Sequence, residues 1–273
     1  MELSPKKLNQ ILKENKFSFK KKYGQNFIID NNIIKNIINK SNIDKETMII
    51  EIGPGAGSLT KKLGEASKNV LAYEIDEKVK PILEKNIYPN TEIIYDDFLK
   101  RDIKKDLEKY NYKKLYVVSN LPYYITTPIV FKLIEEKIEI QKIVVMVQKE
   151  VGDRFNAKPK TKQYNALSVI INYYFKVKKI LDVSKNVFIP KPNVDSIVIS
   201  MTKNKSQDVK NEEYFIKLVK DSFHQKRKTL RNNLKSYDLT KIEKVLKKHG
   251  LTLNVRAEEL PISIFIEMSN EGE

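Results

Sequence analysis

The sequence predicts a doubly wound α/β fold: a mostly parallel sheet with an antiparallel edge, followed by a small all-helical C-terminal domain. Three observations lead there. Short apolar runs such as Met48–Ile52, interrupted only by Glu51, and Ile143–Val147 have the near-continuous hydrophobicity of strands buried on both faces. These runs alternate with stretches of helical periodicity, as crossover connections between parallel strands require. Beyond the polar stretch Lys203–Asp208 only helical patterns remain.

The elements follow in order. Residues 1–29 read as a basic arm. Asp30 is placed to cap a helix reaching about Lys40, with Ile33, Ile34, Ile37 and Ile38 as its buried stripe. Strands are expected over Met48–Ile52, Val70–Ile75, Glu92–Tyr95, Leu115–Ser119 and Ile143–Val147. Helices are expected over Ser58–Ala66, Glu77–Asn86 and Thr127–Lys137, the last with Pro128 in its first turn. A helix over Gln163–Tyr174 precedes two strands, Lys176–Asp182 and Asp195–Met201, which suit an antiparallel edge and flank the proline-marked loop Phe188–Asn193. Helices over Glu212–Phe223, Gln225–Lys235 and Leu239–Lys248, and a last turn around Pro261–Met268, complete the chain. The expected domains are 1–203, carrying the ligand site, and 204–273.

Composition narrows the function classes. With 273 residues and 41% apolar side chains the chain can bury one large core plus an appendage. Lys and Arg outnumber Asp and Glu by 51 to 35, a net charge of +16, which suits a polyanionic partner, nucleic acid first. A lysine-rich composition of the source organism would produce the same excess. The absence of Cys excludes disulfides, cysteine metal clusters and thiol catalysis, and fits a reducing compartment. No run is long enough to span a bilayer and no signal-peptide core is visible, so a cytoplasmic protein without membrane contact is expected. His224 and His249 are the only histidines and read as structural or surface groups, so no metal is expected.

Four strand ends hold the chemistry. Glu51-Ile52-Gly53-Pro54-Gly55-Ala56-Gly57 lies at a strand-to-helix junction, where Gly53 and Gly55 let the backbone approach a ligand and the helix start offers free N–H groups. A dinucleotide fingerprint would need glycine at 58, where this chain has Ser58. The G-x-G-x-G form is typical of a Rossmann-like class I methyltransferase sheet, though a glycine turn without ligand has the same spelling. Glu74, about 20 residues on and followed by Ile75, is placed to accept from ribose hydroxyls; its alternative is a surface cap for the helix starting near Glu77. At Asp96-Asp97-Phe98, Asp97 can accept from an adenine amino group and Phe98 can line the ring, while Asp96 reads as a solvated neighbour.

Asn120-Leu121-Pro122-Tyr123 decides the reaction type. The exocyclic N6 of adenine is a poor nucleophile because its lone pair is delocalised into the ring. The Asn120 side-chain oxygen and the Leu121 carbonyl can hold both N–H groups and turn the lone pair toward an electrophile. Pro122 stiffens the turn and Tyr123 can stack on the base. No prior deprotonation is needed, so the main contribution is orientation.

Gly24-Gln25-Asn26-Phe27, Glu51–Gly57, Asn120–Tyr123 and Phe188–Ser196, in this order from about Phe19 to Met268, resemble the ribosomal RNA adenine N6,N6-dimethyltransferase family, in its bacterial small-subunit branch. The resemblance implies S-adenosylmethionine as cofactor. It implies dimethylation of two adjacent adenines in a hairpin near the 3′ end of 16S rRNA, inside the immature small ribosomal subunit; nothing in the sequence suggests an obligate dimer, so a monomer is expected. It places cofactor contacts on Gln25, Asn26, Ile28, Gly53, Gly55, Glu74, Ile75, Asp97, Phe98 and Asn120. It places the target base against Asn120, Leu121, Pro122 and Tyr123, with Phe188 facing Tyr123 across it; a core aromatic under the proline loop is the alternative for Phe188. Ile28 stands where the family usually has leucine, and Tyr124, where many relatives have asparagine, receives no role.

Two basic clusters are candidate RNA contacts: Lys226, Arg227, Lys228 and Arg231, expected around a helix end, and Lys20, Lys21 and Lys22 in the arm. Solvated faces are the alternative for both. Three rival functions share parts of this pattern. A macrolide-resistance-type 23S rRNA methyltransferase normally has isoleucine at the position of Leu121 and lacks a close match to Gln225–Asn233. A non-catalytic RNA- or DNA-binding relative would not need intact Glu74, Asp97, Asn120 and Tyr123. An N6-adenine DNA methyltransferase would carry proline at 121.

Overall fold

The computed structural model describes residues 5–15, 17–20, 23–85, 87–204 and 209–272. Contacts divide the chain into two units, 1–152 with 178–202, and 153–177 with 203–273.

The first unit is built on a seven-stranded sheet. Its strands are β2 (Thr47–Ile52), β3 (Asn69–Tyr73), β4 (Thr91–Ile94), β5 (Lys114–Asn120), β6 (Lys142–Gln148), β7 (Phe175–Val183) and β9 (Ser196–Lys203), in the order β4-β3-β2-β5-β6-β9-β7. The pairs β2–β3, β3–β4, β2–β5 and β5–β6 are parallel. β9 runs antiparallel to β6 with Gln148 opposite Ser196. All six residues of β2 are buried, as a central strand covered on both faces requires. The chain leaves β2 toward β3 and β4, then returns to its other side for β5 and β6. The order therefore reverses between β2 and β5, and ligands of open α/β sheets bind at the carboxyl ends of strands at such a point.

Helices α2 (Asn31–Ser41), α3 (Ser58–Ala66) and α6 (Thr126–Glu135) fall where the pattern predicts them. Asp30 caps α2 by accepting from the Asn32 and Ile33 amides. Other segments differ. Residues 5–14 of the expected arm form helix α1 (Pro5–Glu14), whose Leu8 and Leu12, one turn apart, are buried beside Phe27. The expected helix Glu77–Asn86 is a single 3-10 turn followed by the one-turn α4 (Lys80–Leu83). α5 (Ile103–Leu107) and α7 (Lys149–Phe155) are too short for a periodic signal. A two-residue ribbon, β1 (Phe27–Ile28) with β8 (Phe188–Ile189), pairs Phe27 with Ile189 and Ile28 with Phe188.

The second unit is helical: α8 (Ala166–Tyr174), α9 (Glu212–Ser222), α10 (Leu230–Asn233), α11 (Leu239–Lys248) and α12 (Ile262–Gly272). A reciprocal capping box between Asn165 and Ser168 starts α8. Residues 153–177, which the expected boundary near 204 assigned to the first domain, belong to this unit by contact. Tyr173 packs on Phe215 with ring centroids 4.7 Å apart, and the Tyr164 hydroxyl donates to the Leu260 carbonyl at 2.8 Å. The expected helix Gln225–Lys235 is also corrected. Thr229 is extended, and the Asn233 amide donates to the Ser222 carbonyl at 2.6 Å and the Gln225 carbonyl at 3.2 Å, folding 223–229 back as a turn. Among the described residues no helix is long and apolar enough to cross a membrane.

Candidate active site

The carboxyl ends of β2, β3, β4 and β5 and the segment before β1 line a cleft open to solvent, about 660 Å³ of space with the solvent at its mouth included. Its floor is the glycine loop. The Gly53 amide donates to the Tyr73 carbonyl at 2.8 Å, tying the loop to β3. Gly55 has φ +56°, and a Cβ there would lie 2.6 Å from the Phe27 ring, so both backbone angle and space demand glycine.

Glu74, only 5% exposed, spends both carboxylate oxygens on the backbone: it accepts from the Gly55 amide at 3.1 Å and the Asp76 amide at 2.9 Å. Burial raises its pKa above the ordinary carboxylate value. Asp76, also buried, accepts from Lys20 Nζ at 2.7 Å and Gln25 Nε2 at 2.8 Å. Lys20 and Gln25 are thereby fastened just beyond the end of β3. Asp97 caps the turn Phe98–Lys100 by accepting from the Leu99 amide, and Phe98 sets its ring edge against Tyr73. Asp96 is exposed and pairs with Arg101.

Asn120 ends β5. Its Nδ2 donates to the Asn26 carbonyl at 3.0 Å, which fixes the amide's direction, and its Oδ1 is buried without a hydrogen-bond partner. Leu121 is anchored by its amide to the Met146 carbonyl at 3.1 Å. The Tyr123 and Ser196 hydroxyls are 2.6 Å apart, with Ser196 fully buried. Beside the main cleft a smaller recess is lined by Asn26, Ile28, Glu51, Gly53, Ser58 and Asn120 among others. In it Glu51, 1% exposed, has an unpartnered Oε2. Burial, and then the neighbouring Glu74, push the Glu51 pKa up to about 8.

The cleft brings together Gln25, Asn26, Gly53, Gly55, Glu74, Ile75, Asp97, Phe98, Asn120, Leu121, Pro122 and Tyr123. Ile28 lines the adjoining recess. Phe188 is not among the lining residues. At 2% exposure it sits in the core with Ile28, Ile34 and Val198, the placement of a core aromatic under the proline loop. Lys20 is engaged by Asp76, and Lys21 and Lys22 lie outside the described residues. Lys226, Arg227, Lys228 and Arg231 are exposed on the second unit, in the turn before α10 and on α10 itself.

From the sequence alone no role falls to Glu51, Asp76 or Ser196, nor to Tyr23 and Tyr124, which line the cleft. Glu51 and Asp76 were visible as acids inside the motifs, but burial cannot be read from them. Ser196 and Tyr123 are 73 residues apart, and no local pattern links them.

These groups fit S-adenosylmethionine. A glycine loop without room for side chains suits a close-lying ligand. Glu74 and Asp97 are acceptors at adjacent strand ends. The unpartnered oxygens of Glu51 and Asn120 suit a cationic ligand and an amino group.

Comparison with known proteins agrees. The family model described as ribosomal RNA adenine dimethylase matches residues 16–273. A ribosomal RNA small subunit methyltransferase A from Bacillus pumilus is 44% identical over 98% of this chain and 96% of its own length. One from Aster yellows witches'-broom phytoplasma is 47% identical over 92% and 94%. Two solved structures share the fold. A dimethyladenosine transferase from Plasmodium falciparum has a TM-score of 0.74 at 24% identity, covering 89% of this chain and 95% of that one. The 23S rRNA methyltransferase ErmE has a TM-score of 0.68 at 22% identity, covering 90% and 99%. The chain therefore belongs to the ribosomal RNA adenine dimethylase family and is an S-adenosylmethionine-dependent rRNA adenine dimethyltransferase.

Proposed function

We propose that the chain dimethylates N6 of two adjacent adenines in a hairpin near the 3′ end of 16S rRNA, acting as a cytoplasmic monomer on the immature small ribosomal subunit. The observation that carries the reaction chemistry is Asn120. Its Nδ2 is committed to the Asn26 carbonyl, so its buried Oδ1 is the free acceptor. The small-subunit target rests on the relatives' names and on the residues of 225–233, which the 23S-type enzymes lack.

Bound S-adenosylmethionine supplies an electrophilic methyl group. Gly53, Gly55, Glu74, Ile75, Asp97 and Phe98 hold its nucleoside, and Glu51, with Asn26 and Gln25, holds its cationic amino-acid end. Asn120 Oδ1 accepts one N6–H of the target adenine and the Leu121 carbonyl the other, so the nitrogen lone pair is turned out of conjugation. Pro122 fixes the turn that separates these two acceptors, and Tyr123 presents a ring face to the base. The target base must leave its stack to reach this depth. The N6 proton becomes acidic only as the new bond forms; the two carbonyl acceptors hydrogen-bond it without taking it, and it passes to water. Rate enhancement then comes from orientation and fixed dipoles, without a buried general base.

The second unit, 153–177 with 203–273, is assigned to RNA binding through Lys226, Arg227, Lys228 and Arg231. The test is transfer of a radiolabelled methyl group to unmethylated small subunits, with large subunits and DNA in parallel, followed by nucleoside mapping. Label as dimethyladenosine in 16S rRNA is the expected result. Label confined to large-subunit RNA would move the chain to the resistance type, and no label with no cofactor binding would make it a non-catalytic relative.

A further inference from the structure

The basic turn of the second unit has a neighbour. Between α7 and α8 the chain reads Lys158-Pro159-Lys160-Thr161-Lys162, with all three lysines exposed. The loop's backbone is firmly held. Lys160 sits in the left-handed region at φ +67°, and its amide donates to the Glu258 carbonyl at 2.8 Å. The Thr161 amide and hydroxyl both donate to the Lys158 carbonyl, at 3.2 and 2.7 Å, and the Tyr164 amide donates to the Thr161 carbonyl at 3.1 Å. A non-glycine residue in that region persists only where its surroundings over-determine it, and such residues cluster at functional sites.

Two further observations give the loop a partner chemistry. Lys226 Nζ donates to the Lys162 carbonyl at 3.2 Å, joining the loop to the turn that carries Lys226, Arg227 and Lys228. The two segments that meet here are free of acids: 154–165 and 222–237 contain no Asp or Glu. Elsewhere in the same unit exposed lysines are neutralised, Lys217 by Asp221, Lys244 by Glu271 and Lys247 by Glu243. Among the described residues Lys158, Lys160 and Lys162 have no such carboxylate partner, although Glu258 borders the loop through its main chain.

We propose that Lys158, Lys160 and Lys162 join Lys226, Arg227, Lys228 and Arg231 in one phosphate-binding face that grips the rRNA backbone and does not touch the reacting adenines. The inference rests on the rRNA reading above. The loop's hydrogen bonds hold the three lysine backbones in place, and each lysine that meets an RNA phosphate releases counterions from the RNA.

The test compares K158Q/K160Q/K162Q with K217Q/K244Q/K247Q, which removes the same charge from paired lysines. Binding to protein-free 16S rRNA and to small subunits is measured against salt. If two or three phosphate contacts are lost, the log–log salt slope of the loop variant should fall by about two and its rRNA affinity by about a hundredfold near 0.1 M salt. The control should keep the wild-type slope. In methyl transfer the loop variant should show raised KM for subunits with unchanged kcat and unchanged cofactor affinity. K158R/K160R/K162R should restore binding. Equal slopes for loop variant, control and wild type would overturn the proposal. So would weaker binding to subunits with unchanged binding to protein-free rRNA, since the contact would then be to a ribosomal protein. Failure of the wild-type enzyme to methylate small subunits would instead defeat the rRNA reading itself.

Discussion

The Tyr123 hydroxyl is bonded to Ser196 Oγ at 2.6 Å, from the turn after β5 to the first residue of the antiparallel strand β9. The turn Tyr123–Ile125 follows a proline, and without this bond the ring would keep its torsional freedom. Ser196 is thus a positioning residue for the aromatic face offered to the base. Removing either hydroxyl should lose about 1 kcal/mol, roughly fivefold in kcat/KM. Ser196→Ala and Tyr123→Phe should share that loss, so that the double variant is no worse than either single one. Additive losses in a double-mutant cycle would show that the two hydroxyls act separately. Ser196→Thr, which keeps the hydroxyl, should retain most activity, whereas a purely structural fault would show as a lower Tm in every variant.

Asn120→Ala should abolish methyl transfer while leaving RNA affinity within about twofold of wild type. Losing a fixed polar group aimed at the reacting centre costs on the order of 10²–10³ in kcat. Asn120→Asp should be nearly as inactive, because a carboxylate has no donor for the Asn26 carbonyl and would face that oxygen instead. Single-turnover assays with saturating RNA check both. Substantial transfer by the Asp variant would mean that the direction of the amide is unimportant.

Asp76 joins the segment before β1 to the sheet through Lys20 and Gln25, and that segment supplies the carbonyl on which Asn120 rests. Asp76→Asn should therefore weaken cofactor binding and lower kcat together, each by several-fold, although Asp76 is not placed against the base. Lys20→Met should do less, because Gln25 still holds the other carboxylate oxygen. Calorimetric titration with S-adenosylmethionine and steady-state assays check this; an unchanged affinity in Asp76→Asn would show that the segment stays in place without its fastening.

What the sequence made legible was local. The β-branched runs and glycine turn place β2, β3 and β5, and the strand-end motifs therefore fall on one edge. Asp30 marks the start of α2 because an N-cap needs only its neighbours. The missed features depend on distant partners. α1 carries a helical apolar spacing, Leu8, Ile11 and Leu12, but ten residues are too few to hold a helix alone, and burial of Leu8 and Leu12 beside Phe27 fixes it. The helix expected over 225–235 gives way to a turn in which the Asn233 side chain donates to the Ser222 carbonyl at the end of α9 and to the Gln225 carbonyl beyond it. Phe188 belongs to a family motif, yet its pairing with Ile28 puts it in the core. The partition at 153–177 turns on aromatic contacts such as Tyr173 with Phe215, which no composition change announces.

Glu51 makes the pH behaviour predictable. Its carboxyl is pushed up to about 8 in the folded protein from an ordinary 4.5, by burial and by Glu74. Between those values the folded state keeps a proton that the unfolded state has released. This group's contribution to stability is therefore fully present below about pH 4.5 and is lost as pH rises through about 8. That contribution is on the order of several kcal/mol, since each pH unit between the two values is worth about 1.36 kcal/mol. Glu51→Gln keeps the shape and removes the titration, so in urea unfolding wild type should lose stability relative to the variant between about pH 5 and about 8. A cationic ligand end near the unpartnered Oε2 would favour the ionised form and expel the proton. Cofactor affinity of the wild type should accordingly tighten by up to about tenfold for each pH unit from about 6 to about 7.5, levelling off where the ligand's own α-amino group begins to deprotonate. Glu51→Gln should bind more weakly and without that slope. Parallel pH profiles for the two proteins would place the cationic end of the cofactor away from Glu51.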